Sequence, residues 1–331
     1  MKRIPMAIVG TALLVAAPMA GAQDQKIDGV RAELQHGTLQ IRGGDQPNVV
    51  ALRLKSGDPT VIQVDVGNDA SPDFSFARSQ VEAINVKMGD GNDVVRVDDA
   101  NGAVDVGIPT TISGGDGNDS LTGGQGAETF RGGDGDDFAL GGKGADTGIM
   151  GAGDDTFRWD NGDGSDVVEG QDGTDTMLFN GAQGAETTNL SANGERLKFF
   201  RQQGNVTMDT DDVEVVDVHE LGGQDNITVG DLSGTDVKQT NIDLAAALGG
   251  SAGDLVADTV TVKGTEGDDD IAVSGNGSGA DVTGLASSVS VTHADPDKDV
   301  LAVDTRAGND HVAVSGVAGL IQLLVDGVPS S

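Results

Sequence analysis

The sequence predicts an all-β repeat protein, and three observations carry that expectation. A nine-residue pattern of glycine and acid runs through the centre, from about Gly114 to Leu178. Both flanks carry valine-rich stretches in which apolar and polar residues alternate, the signature of strands with one buried face. Beyond the first 22 residues no helical periodicity of convincing length appears.

The first 22 residues read as a targeting segment. Lys2 and Arg3 form a positive start, residues 8–17 are an apolar run, and Ala20-Gly21-Ala22 offers the small residues of a cleavage site. The run is too short to span a bilayer and Pro18 ends it. The mature chain is therefore expected to start near Gln23 and to be secreted, with the periplasm or cell surface as alternative destinations and no membrane span. Cysteine is absent, which closes the lipoprotein route and excludes disulfides and thiolate metal sites. Four segments are expected: a signal peptide (1–22), an N-terminal β-strand repeat region (23–112), a central block (113–180) and a C-terminal β-strand repeat region (181–331).

Lys and Arg number 20 against 54 Asp and Glu, a formal charge of -34. Such a surface repels nucleic acid and anionic lipid and attracts cations. High charge with few aromatics also suits disorder, but 37% of the residues are hydrophobic and they recur with a period.

That period is clearest when the centre is cut at its glycines. The units are GGDGNDSLT from Gly114, GGQGAETFR from Gly123, GGDGDDFAL from Gly132, GGKGADTGI from Gly141 and MGAGDDTFR from Met150. After a two-residue insertion, Trp159-Asp160, the phase resumes with NGDGSDVVE from Asn161 and GQDGTDTML from Gly170. Glycine at positions 1, 2 and 4 allows a tight six-residue turn whose carbonyls face one point. An acid at position 6 adds a charged oxygen. Hard cations with six to eight oxygen ligands and flexible geometry fit such a turn, so calcium is the expected ion. The candidate ligands are the glycines Gly115, Gly117, Gly124, Gly126, Gly133, Gly135, Gly142, Gly144, Gly151 and Gly153, and the acids Asp119, Glu128, Asp137, Asp146, Asp155, Asp166 and Asp175. Positions 7 to 9 remain as a short strand whose middle residue points inward: Leu121, Phe130, Phe157, Val168 and Met177. Ala139 and Gly148 stand there in two units, so the core is expected to be thin in the middle.

These units resemble the repeats-in-toxin (RTX, haemolysin-type) calcium-binding family, whose repeat is G-G-x-G-x-D-x-U-x. The resemblance implies a right-handed parallel β-roll, or β-solenoid, in which successive units alternate between two sheets and each ion sits between stacked turns. One edge would hold Asp119, Asp137, Asp155 and Asp175, the other Glu128, Asp146 and Asp166, giving about five interior ions. Three departures stand out. Glu128 is one methylene longer than Asp and is expected to shift its site; Met150 replaces a glycine; and the Trp159-Asp160 insertion is expected either to bulge the coil or to move Asp166 and Asp175 to other edges.

In the flanks, strands are expected at 49–54, 61–66, 94–97, 213–218, 260–262 and 300–303. VEAINVKMGDGNDVVRV from Val81 aligns without a gap on VEVVDVHELGGQDNITV from Val213, and KDVLAVDTRAGNDHVAV from Lys298 follows the same track; IRGGDQPNVVAL from Ile41 similarly follows VKGTEGDDDIAV from Val262. Asp93 lies in a near-complete unit, MGDGNDVVR, and is a further candidate ligand. Asp225, Asp269 and Asp310 occupy the same place and read as turn residues that satisfy their own backbone; Asn48 stands there in the weakest copy. These longer coils suggest a broader solenoid, or open sheet layers stacked on the ends of the roll. The tail 319–325 reads as a final strand or as the remnant of an export signal.

Catalytic motifs are missing. His36, His219, His293 and His311 form no H-E-x-x-H, no serine lies in G-x-S-x-G, and no D-x-D-x-D-G loop has the glutamate of an EF-hand. The expected function is that of a secreted, non-enzymatic calcium-binding protein whose folding is coupled to calcium, in a structural, adhesive or matrix role with cell-surface or matrix polymers as partners. The alternative is a secreted β-helix enzyme that cleaves polysaccharide with groove carboxylates. Trp159 is the only Trp and Tyr is absent, so aromatic sugar platforms are scarce.

Overall fold

The computed structural model describes residues 26–330, so the leader expected at 1–22 lies outside the described residues. Two sheets, of 15 and 14 strands, share one hydrophobic core that runs from Val30 to Leu323. Through the centre the chain alternates between them. Thr110–Asp116, Glu128–Asp134, Thr147–Ala152 and Val167–Asp172 lie side by side in the first sheet, and Ser120–Thr122, Phe138–Leu140, Thr156–Asp160 and Thr176–Asn180 in the second. All these neighbours are parallel, which gives the β-roll.

Exact parallel register stacks the inward positions into columns. In the first sheet Ile41, Val86, Ile112, Phe130, Gly148 and Val168 follow one another. In the second the column is Val50, Val95, Leu121, Ala139, Phe157, Met177 and Val216. The core is not thin where the small residues fall. A Cβ on Gly148 would stand 2.7 Å from the Phe157 ring, and Phe130 meets Phe157 edge-on at 6.5 Å. Two large rings thus occupy the space that Ala139 and Gly148 leave, and the layer keeps its density.

The Trp159-Asp160 insertion neither bulges the coil nor moves a unit to another edge. It lengthens the strand from three residues (Phe138–Leu140) to five (Thr156–Asp160). Trp159 becomes one more inward residue, fully buried and stacked on Phe179 at 4.3 Å, with its indole N–H donating to the Gly164 carbonyl at 2.7 Å.

The flanks are not separate layers on the ends of the roll. Both sheets continue into them, and the extra chain is folded into antiparallel strands within the same sheets. Thr187–Asn193, Arg196–Arg201 and Val206–Asp211 are inserted between Val167–Asp172 and Asn226–Val229. Val49–Lys55, Asp58–Val66 and Phe74–Ala77 form a similar set at the N-terminal end, as do Asp270–Gly275, Ala280–Thr283 and Ser288–Thr292 near the other. An antiparallel pair uses the same edge hydrogen bonds as a further coil, so it extends the sheet without interrupting it. The self-similar copies at Val81 and Val213 enter the sheets in opposite order, because a strand–turn–strand unit fits either way round. Residues Gln322–Val325 form a strand parallel to Val300–Asp304 and pair back with Val328–Ser330, closing one end with a hairpin, as Arg31–Gln35 and Thr38–Arg42 close the other.

Candidate metal centres between stacked turns

Sixth-position acids gather at the sheet edges as two ladders. Along one, the backbone N–H of each acid donates to Oδ1 of the acid one coil on: Asp93 to Asp119 (2.7 Å), Asp119 to Asp137 (2.8 Å), Asp137 to Asp155 (2.7 Å) and Asp155 to Asp175 (2.9 Å). Along the other, Glu128 donates to Asp146 (2.8 Å) and Asp146 to Asp166 (2.9 Å). Asp93 and Asp119 are 26 residues apart; the rungs that follow are 18 apart before the insertion and 20 across it, on unchanged edges. Asp93 belongs to the first ladder, and Asn48 and Glu214 stand at its ends.

One oxygen of each carboxylate is therefore used by backbone. The other is not. Oδ2 of Asp93, Asp119, Asp137, Asp146, Asp155, Asp166 and Asp175 and Oε1 of Glu128 are buried without a hydrogen-bond partner. Rows of buried anionic oxygens with nothing donating to them are untenable unless protons or cations neutralise them. Burial, reinforced by neighbouring carboxylates, pushes Asp119 and Asp175 up to about 6, Asp137, Asp155 and Asp166 to about 7 and Asp146 to about 8. Hard oxygens, buried and unpaired at a regular spacing, fit calcium.

The candidate glycines lie in the same turns, where stacking leaves no space for a side chain. A Cβ on Gly133 would stand 1.9 Å from the Gly115 carbonyl oxygen, and one on Gly151 2.0 Å from that of Gly133. Gly115, Gly117, Gly133, Gly135, Gly142, Gly144, Gly151 and Gly153 also have positive φ, but Gly124 and Gly126 do not. The turn at Gly123 is thus built differently, and Asp105 lies against it. Asp105 is fully buried, accepts the Gly126 N–H at 2.9 Å and leaves Oδ2 unpartnered. The longer Glu128 reaches back to its own Gly124 N–H at 3.0 Å. Burial and the charges of Asp105 and Asp146 raise the Glu128 carboxyl well above its ordinary range.

Several buried acids escape the reading of the sequence. In the C-terminal flank Glu186 donates to Asp225 (2.7 Å), Asp225 to Asp258 (2.8 Å) and Asp258 to Asp299 (2.9 Å), a third ladder. Asp225 is thus not satisfied only within its own turn; burial pushes it, like Asp258, up to about 7. Asp258 and Asp299 carried a visible signal, with apolar residues two and four positions on. Glu186 closes a turn, GAQGAE from Gly181, that repeats GGQGAE from Gly123. Asp105 lies in a loop with no repeat and carried no signal. Asp269, by contrast, is satisfied by its own turn, accepting the Thr265 N–H at 2.8 Å and hydroxyl at 2.9 Å, and Asp310 accepts the Asp269 N–H at 2.9 Å.

The family model for the RTX calcium-binding nonapeptide repeat matches the chain in four copies, over residues 110–139, 122–157 and 162–181. The central block is therefore made of RTX repeats, and calcium binding is the property those repeats bring. No curated protein matches the chain.

Proposed function

We propose that this is an exported, non-enzymatic calcium-binding protein in which ions between stacked turns couple folding of the nonapeptide block to calcium, in a structural, adhesive or matrix role. The observation that carries the reading is the pair of acid ladders, each rung holding one oxygen for backbone and leaving one buried and unpaired. Bound calcium supplies the positive charge that allows these carboxylates to be ionised and buried together. The chain's part is to hold the acids in register: parallel strands fix the spacing, backbone N–H groups orient each carboxylate, and glycines let the turns approach. Without cations the ladders repel, and the short strands of the block offset little chain entropy. Several ions that bind only the folded state stabilise it together.

The leader supports export into a calcium-rich medium. For the non-enzymatic reading, the support is that Trp159 is buried rather than displayed as a sugar platform. Three of the four histidines are also spent on single partners, His219 on Asn180 (2.9 Å), His293 on Asp243 (2.6 Å) and His311 on Asp270 (2.8 Å). Among the described residues no helix is long and apolar enough to cross a membrane. The test is circular dichroism of the mature chain during titration with calcium and, separately, magnesium. A β signal that grows with calcium and is lost in chelator is expected; a signal indifferent to both would refute the coupling. Release of fragments from uronate polymers would overturn the non-enzymatic reading.

A further inference from the structure

The Glu186–Asp225 step lies outside the residues matched by the RTX model, and the turn 220–225 departs from the nonapeptides at its first two positions. At the first position, where the central units have glycine, Met150 or Asn161 and the copy from Val81 has buried Met88, the chain places Glu220. Glu220 is 1% exposed, and neither Oε1 nor Oε2 has a hydrogen-bond partner. Leu221, which follows, holds φ at +58°, positive like Gly115 and Gly133 at that position but far from their +128° and +133°.

Two turns enclose the carboxyl, 181–186 and 220–225. Glu220 Oε2 lies 3.1 Å from where a Cβ on Gly181 would stand, beside Glu186 Oε2. Glu186 accepts the Ala182 N–H at 2.7 Å through Oε2 and pairs with Arg201 through Oε1. Asp225 accepts the Glu186 N–H through Oδ1. The buried Thr188 hydroxyl faces Glu220 and is the one neutral donor beside its carboxyl. Glu186, Glu220 and Asp225 are each 1% exposed and Arg201 7%. Three carboxylates against one guanidinium leave two buried negative charges, which one dication would balance. Each bonded oxygen still has a lone pair to offer.

We propose that the space between turns 181–186 and 220–225 is a further metal site, which takes one hard divalent cation of the calcium class on Glu220 and Glu186, with the charge of Asp225 close by. Arg201 holds Glu186 in place by a contact that does not depend on the metal. Arg201 also lies over the ring of Trp159, the only Trp, at 5.4 Å, so the site has a local reporter.

The test counts calcium ions per full chain by native mass spectrometry and reads terbium emission sensitised through Trp159. Glu220→Gln and Glu220→Met, the latter copying Met88, are compared with the parent and with Asp137→Asn on the other edge. The expected result is one ion fewer in both Glu220 variants with a fall in sensitised emission, while Asp137→Asn loses ions and keeps that part of the emission. Unchanged ion number and emission in a folded Glu220 variant would overturn the proposal and leave the reading of the central block standing; indifference of Asp137→Asn to calcium would sink that reading instead. Should neither Glu220 variant fold, the parent decides. An infrared band of a buried carboxylic acid persisting in saturating calcium means that Glu220 holds a proton, against the proposal, and its absence supports the cation.

Discussion

At the scale of the residue, each ladder acid divides its work between its two oxygens, and the division can be tested one atom at a time. Asp137→Asn keeps an acceptor for the Asp119 N–H and removes the charge from the atom that has no partner. The expected outcome is a rise of about tenfold or more in the calcium midpoint, equivalent to ~1.4 kcal/mol or above, measured by calorimetric titration. Asp269→Asn is expected to shift the midpoint little, since Thr265 holds both oxygens already. The raised carboxyls also fix the sign of a pH dependence. Without metal, Asp137 and Asp155 keep a proton in the fold up to about 7, whereas the unfolded chain releases it near the ordinary value of 3.8. The fold then binds more protons than the unfolded chain, so its stability is full below the lower value and declines as pH rises through the upper one. In chelator the β signal is expected to be stronger near pH 5 than near pH 8. With calcium the order reverses, because the ion must displace those protons. A flat pH profile in chelator would contradict the burial of the ladders.

At the scale of the element, small and large residues are matched across the two sheets. Gly148 lies in the first sheet and Phe157 in the second, and the ring occupies the place of the missing side chain. Phe157→Ala is expected to cost about 3–5 kcal/mol, read by thermal unfolding in saturating calcium. Gly148→Ala alone should destabilise by about 1–3 kcal/mol through overpacking, and Gly148→Ala with Phe157→Leu should recover part of that loss. Additive losses would show that the two positions do not share one space. The strands themselves were legible in the sequence, because short apolar alternation bounded by Gly and Asp has few other solutions: the stretches expected at 49–54, 94–97 and 300–303 are the strands Val49–Lys55, Val94–Asp98 and Val300–Asp304. The stacking of Asp119 on Asp137 and of Glu128 on Asp146 was legible for the same reason, since a fixed period forces fixed neighbours. Partners brought in from outside the period were not. Asp105 reaches Gly126 from 21 residues away, and the strands Thr187–Asn193 to Val206–Asp211 enter the first sheet as antiparallel inserts that no repeat announces.

At the scale of the whole molecule, one core runs through segments with different debts to calcium. Three antiparallel strands, Val49–Lys55, Asp58–Val66 and Phe74–Ala77, bury Leu52, Leu54, Ile62, Val64, Phe74 and Phe76. Their one fully buried acid, Asp65, is paired with Arg53 and also accepts the Asp69 and Ala70 N–H groups at 3.2 and 2.9 Å. Nothing in this layer needs a cation. The nonapeptide block has strands as short as three residues and a ladder at each edge, so on the proposed reading it is the part that depends most on calcium. Repeat arrays are stabilised unit by unit through nearest neighbours and open where the local terms are weakest. Hydrogen exchange after chelation is therefore expected to lose protection first across residues 110–181 and to keep it across 49–77. Simultaneous loss in both would mean that the shared core binds the whole chain into one cooperative unit, and protection persisting across the block would mean that its ladders hold without metal. Loss across the block alone would show that the acid ladders, not the continuity of the sheets, decide where the chain opens.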